Sequence, residues 1–116
     1  MSKVWMTHNP KCETSRNVLQ ILRDHGIEPE IREYLKEPLS QAEIASLLKE
    51  MGVPAKDVVR WKQKDEVAAA GIDQDSSEAA LIRAMAEAPV LLNRPIVRTK
   101  KGVKLCRPSE SVKSLL

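Results

Sequence analysis

VWMTHNPKCETSRNVLQILRDHGIEPEIREYL, residues Val4 to Leu35, is the stretch that decides the fold. Val4-Trp5-Met6-Thr7 predicts a short strand. That strand stops before Pro10, which has no N–H to give a ladder. Glu13 to His25 predicts a helix: Val18, Leu19, Ile21 and Leu22 fall at helical spacing, and Gly26 suits the position just past a helix end. Ile27 to Leu35 contains Glu-Ile-Arg-Glu-Tyr, whose alternation predicts a second strand. A strand, a helix and a strand in this order pair in parallel through a right-handed crossover.

Outward from this unit, Ser40-Gln-Ala-Glu43 is a capping box. Ile44, Leu47 and Leu48 follow on one face, and Gly52 closes the helix. Val53 to Gly71 predicts short helical pieces around the charged stretch Lys62 to Glu66. Ser76-Ser77-Glu78 opens another amphipathic helix, with Ala80, Leu81, Ala84 and Met85 as its apolar face and Pro89 as its end. Pro95-Ile-Val-Arg98 and Val103-Lys-Leu-Cys106 flank Lys-Lys-Gly, a hairpin signal with Gly102 in the turn. Ser109 to Leu116 predicts a short terminal helix. The expected fold is α/β and thioredoxin-like: a small mixed four-stranded sheet flanked by helices, with an inserted helical segment. Residues 1–116 are expected to form a single domain.

Composition narrows the class. Of 116 residues, 42% are hydrophobic and 30% charged, which suffices for a core and is too evenly mixed for disorder. With no Phe, one Tyr and two Trp, that core must be aliphatic. No apolar run approaches the ~20 residues of a spanning helix. Met1-Ser2-Lys3-Val4-Trp5 lacks the apolar stretch of a signal peptide, so the expectation is a cytoplasmic protein without membrane association. Two cysteines, Cys12 and Cys106, rule out a disulfide scaffold, and with His8 and His25 they lack zinc-finger spacing, so no metal is expected. From Arg94 onward there are seven basic residues against Glu110 alone, whereas the rest carries 12 basic and 15 acidic residues. Such a cluster suits an anion. It lacks the interleaved aromatics of a nucleic-acid surface.

The chemistry sits in His8-Asn-Pro-Lys-Cys12-Glu-Thr-Ser15-Arg16-Asn. Cys12 falls between the first strand and the first helix, where unsatisfied N–H groups and the positive end of the helix dipole favour thiolate over thiol. The same N–H groups suit an oxyanion beside the sulfur. Glu13 opposes both effects unless it points away. The spacing Cys-x-x-Ser gives no second cysteine for an internal disulfide. Cys-x-x-x-Arg is too short for a phosphatase loop. Cys106, at the end of an apolar alternating strand, reads as a packed thiol.

These residues, with Leu92-Asn-Arg94-Pro-Ile-Val and Leu105-Cys-Arg107-Pro-Ser-Glu110, resemble the glutaredoxin-coupled bacterial arsenate reductases along essentially the whole chain. The resemblance implies reduction of arsenate to arsenite. Cys12 is then the nucleophile, His8 and Ser15 stabilise the thiolate, and Arg60, Arg94 and Arg107 bind the oxyanion. Pro95 matches the cis-proline of thioredoxin-like folds. Glutathione enters as co-substrate, glutaredoxin as protein partner, and no cofactor is bound. A monomer is expected, with no nucleic-acid partner. The family pattern has Gly where this chain has Glu13. Two alternatives stay open: a glutathione-dependent thiol oxidoreductase of the same family that does not use arsenate, and a non-catalytic regulator that binds RNA polymerase. The polymerase-binding relatives carry Cys-x-x-Cys, where this chain has Ser15.

Overall fold

A computed structural model describes residues 4–116. The segment Met1-Ser2-Lys3, on which the leader expectation partly rests, lies outside them. The chain divides into two compact units. One comprises the chain up to Glu37 together with Arg94–Leu116, and the other comprises Pro38–Asn93.

The first unit holds the sheet. Strand β1 (Trp5–Thr7) leads into helix α1 (Glu13–Asp24) and strand β2 (Glu30–Arg32). Strands β3 (Ile96–Thr99) and β4 (Gly102–Leu105) and a terminal 3-10 helix (Ser109–Leu115) complete it. The strand order is β2-β1-β3-β4. Strand β1 pairs with β2 in parallel, Met6 opposite Ile31, and with β3 antiparallel, Met6 opposite Val97. Strands β3 and β4 form the hairpin, with Ile96 opposite Leu105 and Thr99 opposite Gly102.

One face of this sheet receives α1 and the terminal helix. Met6, Val18, Leu19, Leu22, Val97, Cys106, Val112 and Leu115 form a single buried cluster. This is the aliphatic core that the composition requires. Each fully buried side chain of this size contributes about 1.5–3 kcal/mol of transfer free energy. Thr99 Oγ1 donates to Leu115 O at 2.8 Å, which pins the last helix to β3.

The second unit is helical. Helix α2 (Gln41–Met51) starts at the expected capping box: Glu43 N–H donates to Ser40 Oγ at 3.1 Å and Ser40 N–H to Glu43 Oε1 at 3.0 Å. It closes on Gly52 at φ 70°, a conformation that costs other residues a Cβ clash. A 3-10 turn (Ala55–Val58), helix α3 (Lys64–Ala70), helix α4 (Glu78–Glu87) and a second 3-10 turn (Pro89–Leu91) follow. The Glu78 carboxylate accepts the Ala55 N–H at 2.9 and 3.0 Å, tying the start of α4 to the first turn. Ile44, Leu47, Leu48, Val58, Leu81, Met85 and Leu91 are buried in this unit.

The mixed four-stranded sheet with flanking helices is as the sequence predicts. Two details differ. Strand β2 covers Glu30–Arg32, not the expected Ile27 to Leu35, because Glu33 O accepts the N–H groups of Lys36 and Glu37 and turns the chain there. The hairpin turn is Lys100-Lys101, and Gly102, at φ 144°, opens β4. The short terminal helix stands where it is expected and is of the 3-10 type. Among the described residues no helix is long and apolar enough to cross a membrane.

Candidate active site

Cys12 is the residue just before α1, extended at φ −92° and ψ 120°. The loop that delivers it is tied at both ends. His8 N–H donates to Arg32 O at 2.9 Å, prolonging the β1–β2 pairing. Cys12 N–H donates to Asn9 O at 2.9 Å, and Arg16 N–H to Cys12 O at 3.0 Å, which opens the helix. Lys11 N–H donates to Asn9 Oδ1 at 3.0 Å. Cys12 is only 8% exposed, more enclosed than its polar neighbours suggest.

Burial alone would raise the Cys12 pKa. It is nevertheless lowered, because the Ser15 N–H, the Arg94 charge and the hydrogen-bonding reach of Arg94 and Arg107 outweigh that cost. The sulfur makes no capping hydrogen bond of ordinary geometry. These groups therefore act on the developed thiolate rather than by locking the neutral thiol.

The two arginines come from the base of the hairpin. Arg94 precedes Pro95 and Arg107 precedes Pro108, and both Arg–Pro peptides are cis. Arg107 Nη1 donates to Arg94 O at 3.0 Å, and Cys106 N–H to Pro95 O at 2.9 Å, so the two segments are clamped together. Arg94 is 9% exposed, and charge in so dry a setting acts more strongly than on the surface.

His8 and Ser15 form a buried pair behind the loop. His8 Nδ1 and Ser15 Oγ are 2.7 Å apart, and Asn9 N–H donates to the same oxygen at 3.1 Å. Burial, with Arg23 and Arg16 assisting against Glu33, lowers the His8 pKa and keeps the imidazole neutral. A neutral imidazole protonated on Nε2 accepts the Ser15 hydroxyl proton at Nδ1. The His8 ring is thus held on the Ser15 hydroxyl, while the Ser15 backbone N–H faces the sulfur.

Cys106 has the opposite setting. It is fully buried in the core, and burial pushes its thiol up to about 11. Glu13 is exposed in the first turn of α1. Arg60 belongs to the helical unit. There its N–H donates to Leu91 O at 2.7 Å, and its Nη1 reaches the Gln63 side-chain oxygen at 2.8 Å when that amide also donates to Glu66. Among the described residues no three His, Cys, Asp or Glu side chains form a metal-binding group.

Sequence reasoning missed Thr7. Buried Thr7 accepts the Ile96 N–H on its hydroxyl at 2.8 Å, fixing the segment after Pro95 against β1. Thr7 carried no signal, since a threonine ending a strand is unremarkable.

A partly buried cysteine at a helix N-terminus, met by two guanidinium groups on a mixed four-stranded sheet, defines a thioredoxin-like protein built around one thiolate. The ArsC family model matches residues 7–115, so this chain belongs to the ArsC family. Over its full length it is 42% identical to an arsenate reductase of Escherichia coli and covers 82% of that protein. Over 97% of its length it is 42% identical to an arsenate reductase of Rhizobium meliloti, covering 81% of it. The solved structure of an arsenate reductase from Vibrio cholerae superposes with a TM-score of 0.88 at 35% identity, covering 99% of this chain and 98% of that one.

Proposed function

We propose that this chain reduces arsenate to arsenite through the Cys12 thiolate, with glutathione and glutaredoxin completing the cycle. The observation that carries this reading is the Cys12 sulfur, placed at the N-terminus of α1 among the Ser15 N–H, Arg94 and Arg107, with its pKa lowered. A tetrahedral oxyanion needs donors of this kind, and guanidinium groups pair with its oxygens bidentately.

In the first step the thiolate attacks arsenic and a sulfur–arsenic(V) bond forms. One arsenate oxygen takes up two protons and leaves as water. Arg94 and Arg107 hold the remaining oxygens and offset their charge as the bond forms. In the second step glutathione attacks the Cys12 sulfur. The sulfur–arsenic electron pair stays on arsenic, which leaves as arsenite in the +3 state, and the two sulfurs become a mixed disulfide. Glutaredoxin then takes the glutathione moiety through thiol–disulfide exchange and frees Cys12. Each oxidised sulfur thus contributes one of the two electrons that arsenic gains. One cysteine of this chain suffices because the second thiol is external.

His8 and Ser15 are positioning residues in this scheme, since their hydrogen bond holds the loop that presents Cys12. Pro95 shapes the approach of Arg94 to the sulfur. Arg60 is proposed as a further oxyanion-binding residue on its sequence pattern alone. We place the reaction in the cytoplasm, where both free thiols stay reduced, and with a single chain as the working unit. Glu13 favours a second reading, a glutathione-dependent oxidoreductase without arsenate, because a carboxylate beside the thiol repels an oxyanion.

The test is NADPH oxidation with glutathione, glutathione reductase and glutaredoxin supplied. Turnover is expected to require arsenate, glutaredoxin and Cys12. A glutathione adduct on Cys12 without any arsenate-dependent turnover would establish the second reading and make Glu13→Gly the next variant.

A further inference from the structure

The sulfur and the arginines that act on it arrive on different arms of the sheet. Cys12 follows β1 through the loop that starts at His8, whereas Arg94 and Arg107 flank the β3–β4 hairpin. How Arg94 stands to the sulfur therefore depends on how firmly the start of β3 is registered against the end of β1. The ladder gives little hold there. It pairs Trp5 with Arg98 and Met6 with Val97, and stops. One step further in that register, Thr7 comes opposite Ile96.

At that step a side chain takes over from the backbone. Ile96 N–H donates to Thr7 Oγ1 at 2.8 Å, and Thr7 is fully buried. The next residue, His8, turns its own N–H the other way, to Arg32 O. Two heavy atoms on the threonine Cβ restrict χ1, so the hydroxyl is held in one direction. A buried N–H is costly to leave without an acceptor, so this contact resists slippage. On the hairpin side, Cys106 N–H donates to Pro95 O at 2.9 Å and Arg107 Nη1 to Arg94 O at 3.0 Å. Those two bonds hold the arginine segments to each other. The Thr7 hydroxyl holds them to the strand that carries the cysteine loop.

We infer that Thr7 is a positioning residue: its hydroxyl registers the Arg94 segment against the strand that delivers Cys12, and so sets how strongly Arg94 acts on the sulfur. Thr7 is not itself among the groups that act on the thiolate, which are the Ser15 N–H, Arg94 and Arg107. It works through Ile96, Pro95 and Arg94. A threonine with a merely structural role would add stability and leave the acidity of the thiol alone. The inference rests on the reading that Arg94 meets a Cys12 thiolate, and not on the identity of the oxyanion.

The test is alkylation of Cys12 by iodoacetamide across pH, followed by mass of the Cys12 peptide, in wild type, Thr7→Val, Thr7→Ser, Arg94→Ala and Thr7→Val with Arg94→Ala. Valine keeps the shape of threonine and removes the acceptor. Thr7→Val is expected to raise the alkylation midpoint and to slow the reaction at pH 7 about three- to tenfold, the scale of one hydrogen bond. Thr7→Ser restores the acceptor, so its midpoint should stay at the wild-type value even where the lost methyl lowers its melting temperature. With Arg94→Ala already in place, adding Thr7→Val should change the rate less than about twofold, because no guanidinium is left to displace. A midpoint unmoved in Thr7→Val, or moved equally with and without Arg94, would overturn the inference. So would a midpoint in Thr7→Ser that rises as its melting temperature falls, an outcome that stays readable if Thr7→Val does not fold. Alkylation needs no oxyanion. A chain that shows the expected cycle yet reduces no arsenate would leave Thr7 in this role and remove the function proposed above.

Discussion

Burial pushes the Cys106 thiol up to about 11, whereas Ser15, Arg94 and Arg107 bring the less enclosed Cys12 below its ordinary value. Thiolate is the reactive form, so Cys12 reacts at lower pH than Cys106. Cys12→Ser should abolish arsenate-dependent turnover, while Cys106→Ser should retain most of it. Equal loss in both would defeat the external-thiol scheme. Alkylation by iodoacetamide should have its midpoint below that of an unperturbed thiol. Arg94→Ala or Arg107→Ala should move that midpoint upward, because Arg94 favours the thiolate by charge and hydrogen bonding and Arg107 by hydrogen bonding. A midpoint unmoved in both variants would deny the arginines that role. The linkage signs are opposite for the two thiols. Stability contributed by the Cys12 thiolate is present above the unfolded thiol value and lost as pH falls through the lower folded value. Stability contributed by the neutral Cys106 is present below about 9 and lost as pH rises toward about 11. Urea titrations at pH 8.5 and 10.5 should show a fall in stability that is smaller in Cys106→Ala. At this scale Cys12 was legible because a helix N-terminus can be read from periodicity and its N–H groups act locally. The His8–Ser15 pair was harder to place. Which Ser15 group, hydroxyl or N–H, faces the sulfur depends on the exit angle of β1, and no pattern encodes that angle.

Helices and hairpin were read well where the signal is local. The Ser40–Glu43 capping box and the Ser77 cap of α4 stand where their residue types place them, and the β3–β4 hairpin stands where it is expected with its turn shifted to Lys100-Lys101. Strand β2 was overread because alternation in Glu-Ile-Arg-Glu-Tyr persists through residues whose backbone turns. Tyr34 is buried while Leu35 is 46% exposed, so hydrophobicity gave no warning. The 3-10 form of the last helix follows from its docking, with Val112 and Leu115 buried in the core and Leu115 O held by Thr99. No propensity in Ser-Glu-Ser-Val-Lys-Ser-Leu specifies that. The energetic weight of the local signals can be measured. Ser40→Ala removes one side of the capping box and should cost about 1 kcal/mol. A chain of this length should then melt about 4 °C lower. Iodoacetamide should still reach Cys12 at the wild-type rate, since Ser40 belongs to the helical unit. An unchanged melting temperature would mean that tertiary packing, not the cap, holds the start of α2.

Charge is distributed unevenly over the whole molecule, and the unevenness has a use. Seven basic residues and one acid lie from Arg94 onward, all in the unit that also contains Cys12. Arg94 and Arg107 meet the sulfur. Lys100, Lys101, Lys104 and Lys113 are exposed on the hairpin and the last helix, where they make a positive field without touching the thiol. Helix α1 adds Arg16 and Arg23. Arsenate is an anion at neutral pH, so this field should raise its local concentration and its rate of arrival. Salt screens such a field over about 8–10 Å at ordinary ionic strength. The value of kcat/KM for arsenate should therefore fall at least about threefold between low salt and half-molar sodium chloride. Alkylation of Cys12 by neutral iodoacetamide should change much less, since nothing steers it. Lys104→Glu with Lys113→Glu should lower kcat/KM for arsenate at low salt and flatten its salt dependence, with kcat little altered, because both lysines are exposed and neither is among the groups that act on the Cys12 sulfur. If kcat/KM proved indifferent to chloride while the double variant still folded, the basic segment would be a solvated surface. The oxyanion would then be drawn in by Arg94, Arg107 and the start of α1 alone.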